Sequence, residues 1–334
     1  MTVGQIKLTD GILLGPMAGV TDHAFRQLCV EFGAEYTFSE MISAKALCYE
    51  QKTRKGLLRT APLAQTFDSD RPFGVQLFGS DPAFFAEAAR RIESGDYLGF
   101  QGKIPDSLDI NMGCPVAKVT SNGEGSALLK DPLLCGRIVE SVKKATRLPV
   151  SAKIRIGWDR AHINAKEIAH ILEQSGADFI TVHGRTRDEL YRPGVSRDVI
   201  GEVCSSVSVP VVANGDIWNA SDAISMLRET GAAAVMIARG ALGNPWIFRS
   251  VQKALRGEAF VPPSPEEKIS VALSHLRALI DLKGETVGTA EGRKHMAWYT
   301  KGFKNSAECR SLMMQAGTYE EMKDALEALL ENNK

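Results

Sequence analysis

Short apolar runs recur along the chain, each closed by a polar or turn-forming residue and followed by a stretch with helical spacing. They are Ile12–Leu14, Tyr36–Ser39, Phe73–Leu77, Ser107–Asn111, Val150–Ile154, Phe179–His183, Val209–Ala213 and Ala234–Ala238. Start and stop residues bound the helices between them. Thr21 is placed to cap a helix that Gly33 stops, and Asp81-Pro82 and Asp131-Pro132 each set an acidic cap before proline. Asn164 to Gly176 and Asn219 to Gly231 are bounded at both ends, and helices are also expected over about 43–58 and 244–256.

Strands that alternate with helices pair in parallel, because parallel neighbours need crossover connections. Runs that are apolar throughout suit a sheet covered by helices. Eight such units predict an α/β fold, a closed (β/α)8 TIM barrel. The pattern changes at Val261-Pro262-Pro263-Ser264-Pro265, a stiff proline-rich run. Beyond it only helical patterns remain: Pro265–Leu282, a stretch around Glu291–Asn305, and Thr318–Glu331. The chain is therefore expected to divide into a barrel over 1–258 and a small all-helical C-terminal domain over 263–334.

A barrel of this kind carries its chemistry where the strands end. That rim would present Pro16-Met17-Ala18, Glu40, Gln76, Asn111 with Cys114, Lys153 with Arg155, His183 with Arg185, Asn214-Gly215-Asp216, and Ala238-Arg239-Gly240. Singly these have ordinary explanations. A strand lysine usually snorkels or pairs with a carboxylate, a lone histidine is usually a satisfied core residue, and Asn-Gly is usually a turn. Their convergence on one rim changes the weighing. Gly215 and Arg239-Gly240 follow the seventh and eighth strands, the usual phosphate site of this fold. With Lys153 and two amides nearby, they suit a phosphorylated planar cofactor such as flavin mononucleotide (FMN). Lys153 would stabilise charge on the reduced ring, and Gln76 and Asn111 would bond its polar edge. No G-x-G-x-x-G follows the first strand, which disfavours a dinucleotide fold.

Asp109-Ile110-Asn111-Met112-Gly113-Cys114-Pro115 delivers a single cysteine to that rim. A buried, inert thiol is the commoner fate of such a residue. Beside a flavin, a thiol of pKa about 8.5 is protonated at neutral pH and able to donate. Asn122-Gly123-Glu124-Gly125-Ser126, just downstream, supplies glycine hinges for a mobile loop.

Composition changes this picture little. The 334 residues carry a formal net charge of zero, so a nucleic-acid partner would need a local patch. Six scattered cysteines, with no C-x-x-C pair and no clustering with histidine, favour free thiols in a reducing compartment and no metal. Neither a signal-like N-terminus nor a membrane-length apolar run is present, and a cytoplasmic, monomeric protein is expected.

The motifs Gly15-Pro16-Met17-Ala18-Gly19-Val20-Thr21-Asp22, Asn111-Met112-Gly113-Cys114-Pro115, Gly125-Ser126-Ala127-Leu128-Leu129, Lys153-Ile154-Arg155, His183-Gly184-Arg185-Thr186, Asn214-Gly215-Asp216-Ile217 and Gly243-Asn244-Pro245-Trp246 resemble those of the tRNA-dihydrouridine synthases. The resemblance is nearest the bacterial B type and covers nearly the whole chain in order. It implies an FMN-bound barrel, a helical tRNA-binding domain and NADPH-driven reduction of selected tRNA uridines. Cys114 would then protonate C5 of uracil while flavin N5 gives hydride to C6. Pro16, Met17, Ala18, Gln76, Lys153, Asn214, Gly215, Asp216, Ala238 and Arg239 would hold FMN, with His183 and Gly240 alongside. Asn111, Arg155 and Arg185 would face the substrate. Ile156 stands where the family usually has a small polar residue, which predicts a retuned substrate side of the pocket. The segment 94–105 looks longer than typical and is expected at the far end of the barrel.

The helical domain carries its own signal. Arg293, Lys294, Lys301, Lys304 and Arg310 cluster with His295, Trp298, Tyr299 and Phe303 and are opposed only by Glu308. Such a stretch suits phosphate contacts on a folded RNA, against the alternative of a solvated face with core aromatics. Two other functions stay open: an FMN barrel reducing a free pyrimidine or enone, as dihydroorotate dehydrogenases do, and a non-catalytic tRNA-binding protein.

Overall fold

The structure, a computed structural model, describes residues 1–49, 61–65, 67–96 and 103–333. After two short strands, β1 (Thr2–Val3) and β2 (Ile6–Lys7), the chain enters the barrel. Its strands are β3 (Ile12–Leu14), β4 (Thr37–Phe38), β5 (Ile42–Ser43), β6 (Phe73–Phe78), β7 (Ser107–Met112), β8 (Val150–Gly157), β9 (Phe179–Thr186), β10 (Val211–Asn214) and β11 (Ala234–Ile237). They run in the order β3-β11-β10-β9-β8-β7-β6-β4, with β5 extending the edge of β6. Every barrel pair is parallel. A parallel bridge between Leu13 and Tyr36 joins the two ends, with Leu14 N–H donating to Tyr36 O at 2.9 Å, so the expected barrel closes.

Alternation along the strands sorts the apolar residues. Ile12, Leu14, Val235 and Ile237 join the large core between strands and helices. Leu13, Met236, Val212, Phe179, Tyr36 and Phe38 form a second cluster with Val3 and Leu8, so the β1–β2 hairpin caps this interior packing. The hairpin was not anticipated, since two-residue strands leave no periodic trace.

The helices follow their caps. Asp22, not Thr21, caps α1 (His23–Glu31): its carboxylate accepts from Phe25 N at 3.1 Å. Thr21 is engaged elsewhere, its hydroxyl accepting from Met17 N at 3.0 Å. The next helix, α2 (Ala44–Tyr49), is the described part of the stretch expected over 43–58; the remainder lies outside the described residues, as does 97–102 of the long segment 94–105. Then come α3 (Pro82–Ser94), α4 (Pro132–Ala145), α5 (Ala165–Gln174), α6 (Arg197–Ser206), α7 (Ala220–Thr230) and α8 (Trp246–Leu255). Sequence pattern had not located α6. Its core contribution is small, mainly Ile200 and Val203.

Beyond the prolines lie α9 (Pro265–Lys283), α10 (Glu285–Tyr299), α11 (Ser306–Gln315) and α12 (Tyr319–Glu331). The helix expected around 291–305 starts and ends earlier, at Glu285–Tyr299, and the helix Ser306–Gln315 that follows was not anticipated. Gly302 and Asn305 adopt left-handed conformations, at φ 92° and 59°, and separate the two. Ile269, Leu276, Met296, Met313 and Leu326 form a core shared with Leu28 and Trp246 of the barrel helices. The two parts meet along α1. There Phe25 stacks on His275 at 5.5 Å, and Lys283 pairs with both Asp22 at 2.5 Å and Glu291 at 2.6 Å. Lys294 reaches across to donate to the carbonyl of Gly19, whose N–H is held by the Glu40 carboxylate.

Candidate active site

A cavity of about 440 Å³ opens at the C-terminal ends of the barrel strands, within the usual range for a small-molecule site. All twelve residues expected to hold a cofactor line it: Pro16, Met17, Ala18, Gln76, Lys153, His183, Asn214, Gly215, Asp216, Ala238, Arg239 and Gly240. So do Cys114, Asn111 and Arg155. Parallel register explains the convergence, because Asn111 pairs with Lys153, Arg155 with His183, and His183 with Asn214.

Lys153 enters from β8 and donates to Asn214 Oδ1 at 3.0 Å. Asn214 is oriented by its own amide, which donates to Met236 O at 2.8 Å. Among the described residues no carboxylate lies within ion-pair distance of Lys153. Burial, with help from Arg155, lowers its pKa to about 8. A lysine so placed has hydrogens to spare and gains from an anion in the cavity. His183 is kept neutral by burial and by Lys153, Arg155, Arg185 and Arg239 around it, and Arg185 Nη1 approaches its Nε2 at 3.0 Å.

Beyond Asn214 the cavity is lined by Gly215 and Asp216. Gly215 and Asp216 are both at positive φ, 125° and 48°. Glycine is required at 215, where a Cβ would come within 2.6 Å of Val195 and 2.9 Å of His183. The Asp216 carboxylate is already committed, accepting from Arg185 at 2.5 Å, Gly194 N at 3.0 Å and Arg239 at 3.3 Å. It therefore fixes the arginines, and an anion would meet the backbone and Arg239. Arg239 lies between two aromatic rings, its guanidinium carbon 5.0 Å from the centroids of Tyr191 and of Trp218. Both rings stand exposed at the cavity mouth, and neither was marked by the sequence motifs. Trp218 lies two residues past Asp216, close enough to have been found; nothing marked Tyr191.

Cys114 sits on the loop after β7. Asn111 Oδ1 accepts from its N–H at 2.9 Å, and its carbonyl accepts from Ser126 N at 3.0 Å and Ser126 Oγ at 2.9 Å. Gly125 makes that closure possible, since a Cβ there would lie 2.8 Å from Cys114 O. At the downstream glycine expected to serve as a hinge, the structure shows a close approach of backbone. Burial raises the thiol pKa, against smaller opposing effects of the Val116 backbone and the Arg155 and Lys153 cations. The thiol stays protonated at neutral pH.

Arg155 braces the loop, donating to Gly113 O at 3.0 Å, Thr186 O at 2.7 Å and Leu190 O at 3.0 Å. Several expected roles fall differently. Arg185 does not line the cavity; it is fully buried beneath the rim, holding Asp216, His183 and Arg192 O. Ile156 points away from the cavity into the strand–helix core with Ala152 and Ile154, so it leaves the pocket wall unchanged. On the helical domain, Arg293 is engaged by Ala316 O at 2.7 Å and Lys294 by Gly19, while Lys301 and Lys304 are exposed. His295 and Tyr299 are buried and belong to the interior.

The residues present fit a phosphorylated flavin. The cavity offers an apolar floor at Met17 and Ala18, amide edges at Gln76 and Asn111, and an uncompensated ammonium at Lys153. A cation and positive-φ backbone stand at the far end. Among the described residues no group of three metal-ligating side chains is found, and no helix is long and apolar enough to cross a membrane.

Two comparisons of structure reach the fold. Histamine dehydrogenase from Rhizobium sp. 4-9 superposes with a TM-score of 0.55 at 13% identity, over 97% of this chain and 62% of that one. Morphinone reductase does so at 0.51 and 12%, over 79% and 90%. Comparisons of sequence go further. A "Probable tRNA-dihydrouridine synthase" of Rickettsia conorii is 41% identical over 92% of this chain and 89% of its own. The "tRNA-dihydrouridine synthase B" of Salmonella typhimurium is 40% identical over 99% of both chains, and that of Pseudomonas aeruginosa 39% over 92% and 89%. The pattern of the family described as Dihydrouridine synthase (Dus) matches residues 13–334, and the chain belongs to that family.

Proposed function

We propose that this chain is a flavin-dependent tRNA-dihydrouridine synthase in which Cys114 is the proton donor. One observation carries the reading: a thiol held protonated by burial lines the same cavity as an unpaired Lys153 and the positive-φ backbone at Gly215 and Asp216. When bound and reduced, FMN would supply the hydride for C6 of a uracil at the mouth. Cys114 supplies the proton to C5, and the thiolate regains it from solvent. Hydride and proton together saturate one carbon–carbon double bond, and the electrons come from NADPH. Lys153 and the Gln76 and Asn111 amides hold the polar edge of the cofactor, while Arg239 and the backbone hold its phosphate. Tyr191 and Trp218 offer aromatic faces to a base at the mouth.

Lys301 and Lys304 extend a basic face over the helical domain, to which tRNA phosphates are assigned. That domain orients the whole tRNA over the cavity and so selects the uridine. A monomer in the cytoplasm belongs to the same proposal, and the six free cysteines support a reducing compartment.

The test is anaerobic. The NADPH-reduced protein should be reoxidised by tRNA lacking dihydrouridine and not by free uridine or orotate. Cys114→Ala should keep its flavin and its NADPH oxidation and lose uridine reduction by about 10²–10⁴-fold, the scale of general acid catalysis. Reoxidation by orotate alone would make the protein a free-pyrimidine reductase. Wild-type uridine reduction in Cys114→Ala would remove the proton donor.

A further inference from the structure

Beneath the amides that face the cavity lies a buried carboxylate that, among the described residues, forms no ion pair. Register places it: Gln76 pairs with Asp109 across β6 and β7, and Asp109 with Ser151 across β7 and β8. The three form one row inside the barrel, a layer below Asn111 and Lys153. Asp109 is 1% exposed, Gln76 1% and Ser151 0%. Among the described residues no ion pair includes Asp109, and burial raises its pKa against the Gln76 and Ser151 hydrogen bonds and the field of Lys153. A charge-bearing side chain kept at that depth needs a reason.

The hydrogen bonds supply one. Asp109 Oδ1 accepts from Ser151 Oγ at 2.6 Å, and Oδ2 accepts from Gln76 Nε2 at 2.6 Å. Gln76 Oε1 then accepts from Asn111 Nδ2 at 2.8 Å. Asn111 Oδ1 in turn accepts from Gly113 N at 3.1 Å and Cys114 N at 2.9 Å. The chain has a direction. An amide is nearly symmetric in shape and can turn end for end, whereas an ionised carboxylate only accepts. Whichever amide meets it must present its NH₂, and each later amide is set by the one before.

We propose that Asp109 is a positioning residue: it fixes the orientation of the Gln76 and Asn111 amides and, through them, the N–H anchor of Cys114. Asp109 does not reach the cavity and takes no part in bond making. Its effect arrives as a choice of which end of each amide meets the cofactor edge and whether an oxygen waits for the cysteine loop. The same anchor would be lost by a turn of either amide, because an NH₂ at Asn111 would face two N–H donors.

Direction can be tested by reversing it. Asp109→Leu removes the acceptor, and Asp109→Asn can retain it by donating to Ser151 and accepting from Gln76. Gln76→Glu alone sets two carboxylates face to face. The paired Gln76→Glu/Asp109→Asn variant restores every bond, the new amide donating to the new carboxylate while accepting from Ser151, and that carboxylate accepting from Asn111. The measurement is the iodoacetamide labelling rate of Cys114 in the FMN-loaded protein, resolved by peptide mass, with the visible flavin spectrum alongside. Labelling needs no tRNA turnover, so it fails or succeeds independently of the activity proposed above. Asp109→Leu and Gln76→Glu should each change the rate about fivefold or more, the equivalent of one oriented hydrogen bond. Asp109→Asn should stay within about twofold of wild type, and Ser151→Ala, which leaves the amide chain intact, should do the same, while the pair should undo most of the change that Gln76→Glu alone produces. The proposal is overturned if Asp109→Asn behaves like Asp109→Leu, or if the pair is no better than Gln76→Glu. If Asp109→Leu fails to fold, the comparison of the pair with Gln76→Glu decides alone.

Discussion

Gly243 is where the barrel touches the helical domain backbone to backbone, and replacing it with alanine tests how rigidly the two are docked. The residue sits between β11 and α8 at φ 65°, and a Cβ there would lie 2.4 Å from the carbonyl carbon of Trp298, 2.5 Å from its oxygen and 2.7 Å from Tyr299 N. These atoms end α10 and cannot rotate aside as a side chain can. Carbon atoms in ordinary contact sit about 3.5–4.0 Å apart, so the helix end must retreat by roughly 1 Å. Two costs combine: about 1–2 kcal/mol for an L-residue in a left-handed conformation, and about 1–3 kcal/mol for overpacking. Gly257 separates them. It has φ 70° and open space where a methyl would go, with nothing within 4 Å, so Gly257→Ala carries the conformational cost alone. Urea unfolding followed by tryptophan fluorescence suits the site, because Trp246 and Tyr299 meet at 6.4 Å across the same seam. Gly243→Ala should be the less stable by about 1–3 kcal/mol. Equal losses in the two variants would show that the domains yield freely at this point.

The seam also makes stability depend on pH. Burial, against the attraction of Asp22, lowers the pKa of His275 to about 4. Below the unfolded value of about 6.5 only the unfolded chain takes that proton, so stability is complete above pH 6.5 and falls by up to about 3 kcal/mol as pH drops towards 4. His275→Phe should flatten this fall in urea titrations across pH; an unchanged slope would assign the loss to other groups. On the outer face, Lys301→Glu/Lys304→Glu should weaken tRNA binding and shallow its dependence on log salt by about 1 for each phosphate no longer neutralised. Unchanged affinity and slope would clear that face of RNA.

Most of the barrel was legible because its signal is local. Each strand is an apolar run ended by glycine or a polar group, and Asp81, Asp131 and Asn219 announce their helices by side-chain caps. The cavity wall was legible for a related reason, since residues at strand ends gather wherever the barrel closes. What escaped depends on partners distant in sequence. Asp22 took the cap expected of Thr21 because the Thr21 hydroxyl was claimed by Met17. Arg185 and Lys294 are basic residues beside functional motifs, yet their donors are consumed by Asp216 and Gly19. Asp109 lay in plain view inside the Asp-Ile-Asn-Met-Gly-Cys-Pro run and was passed over as part of a strand. Only pairing of β6, β7 and β8 reveals that its neighbours are Gln76 and Ser151.

Gly19 is held on both sides, its N–H by the Glu40 carboxylate of the barrel and its carbonyl by Lys294 of the helical domain, and the loop it belongs to continues from the Pro16-Met17-Ala18 floor of the cavity. The helical domain is accordingly one wall of the socket that shapes the floor, and cutting the chain at the proline run would leave that loop half supported. Grafting a relative's helical domain onto this barrel would disturb the cavity floor unless the grafted helix kept a long cation opposite Gly19. The barrel and the helical domain are joined here through one residue, and an exchange of the helical domain has to carry the cation that holds it.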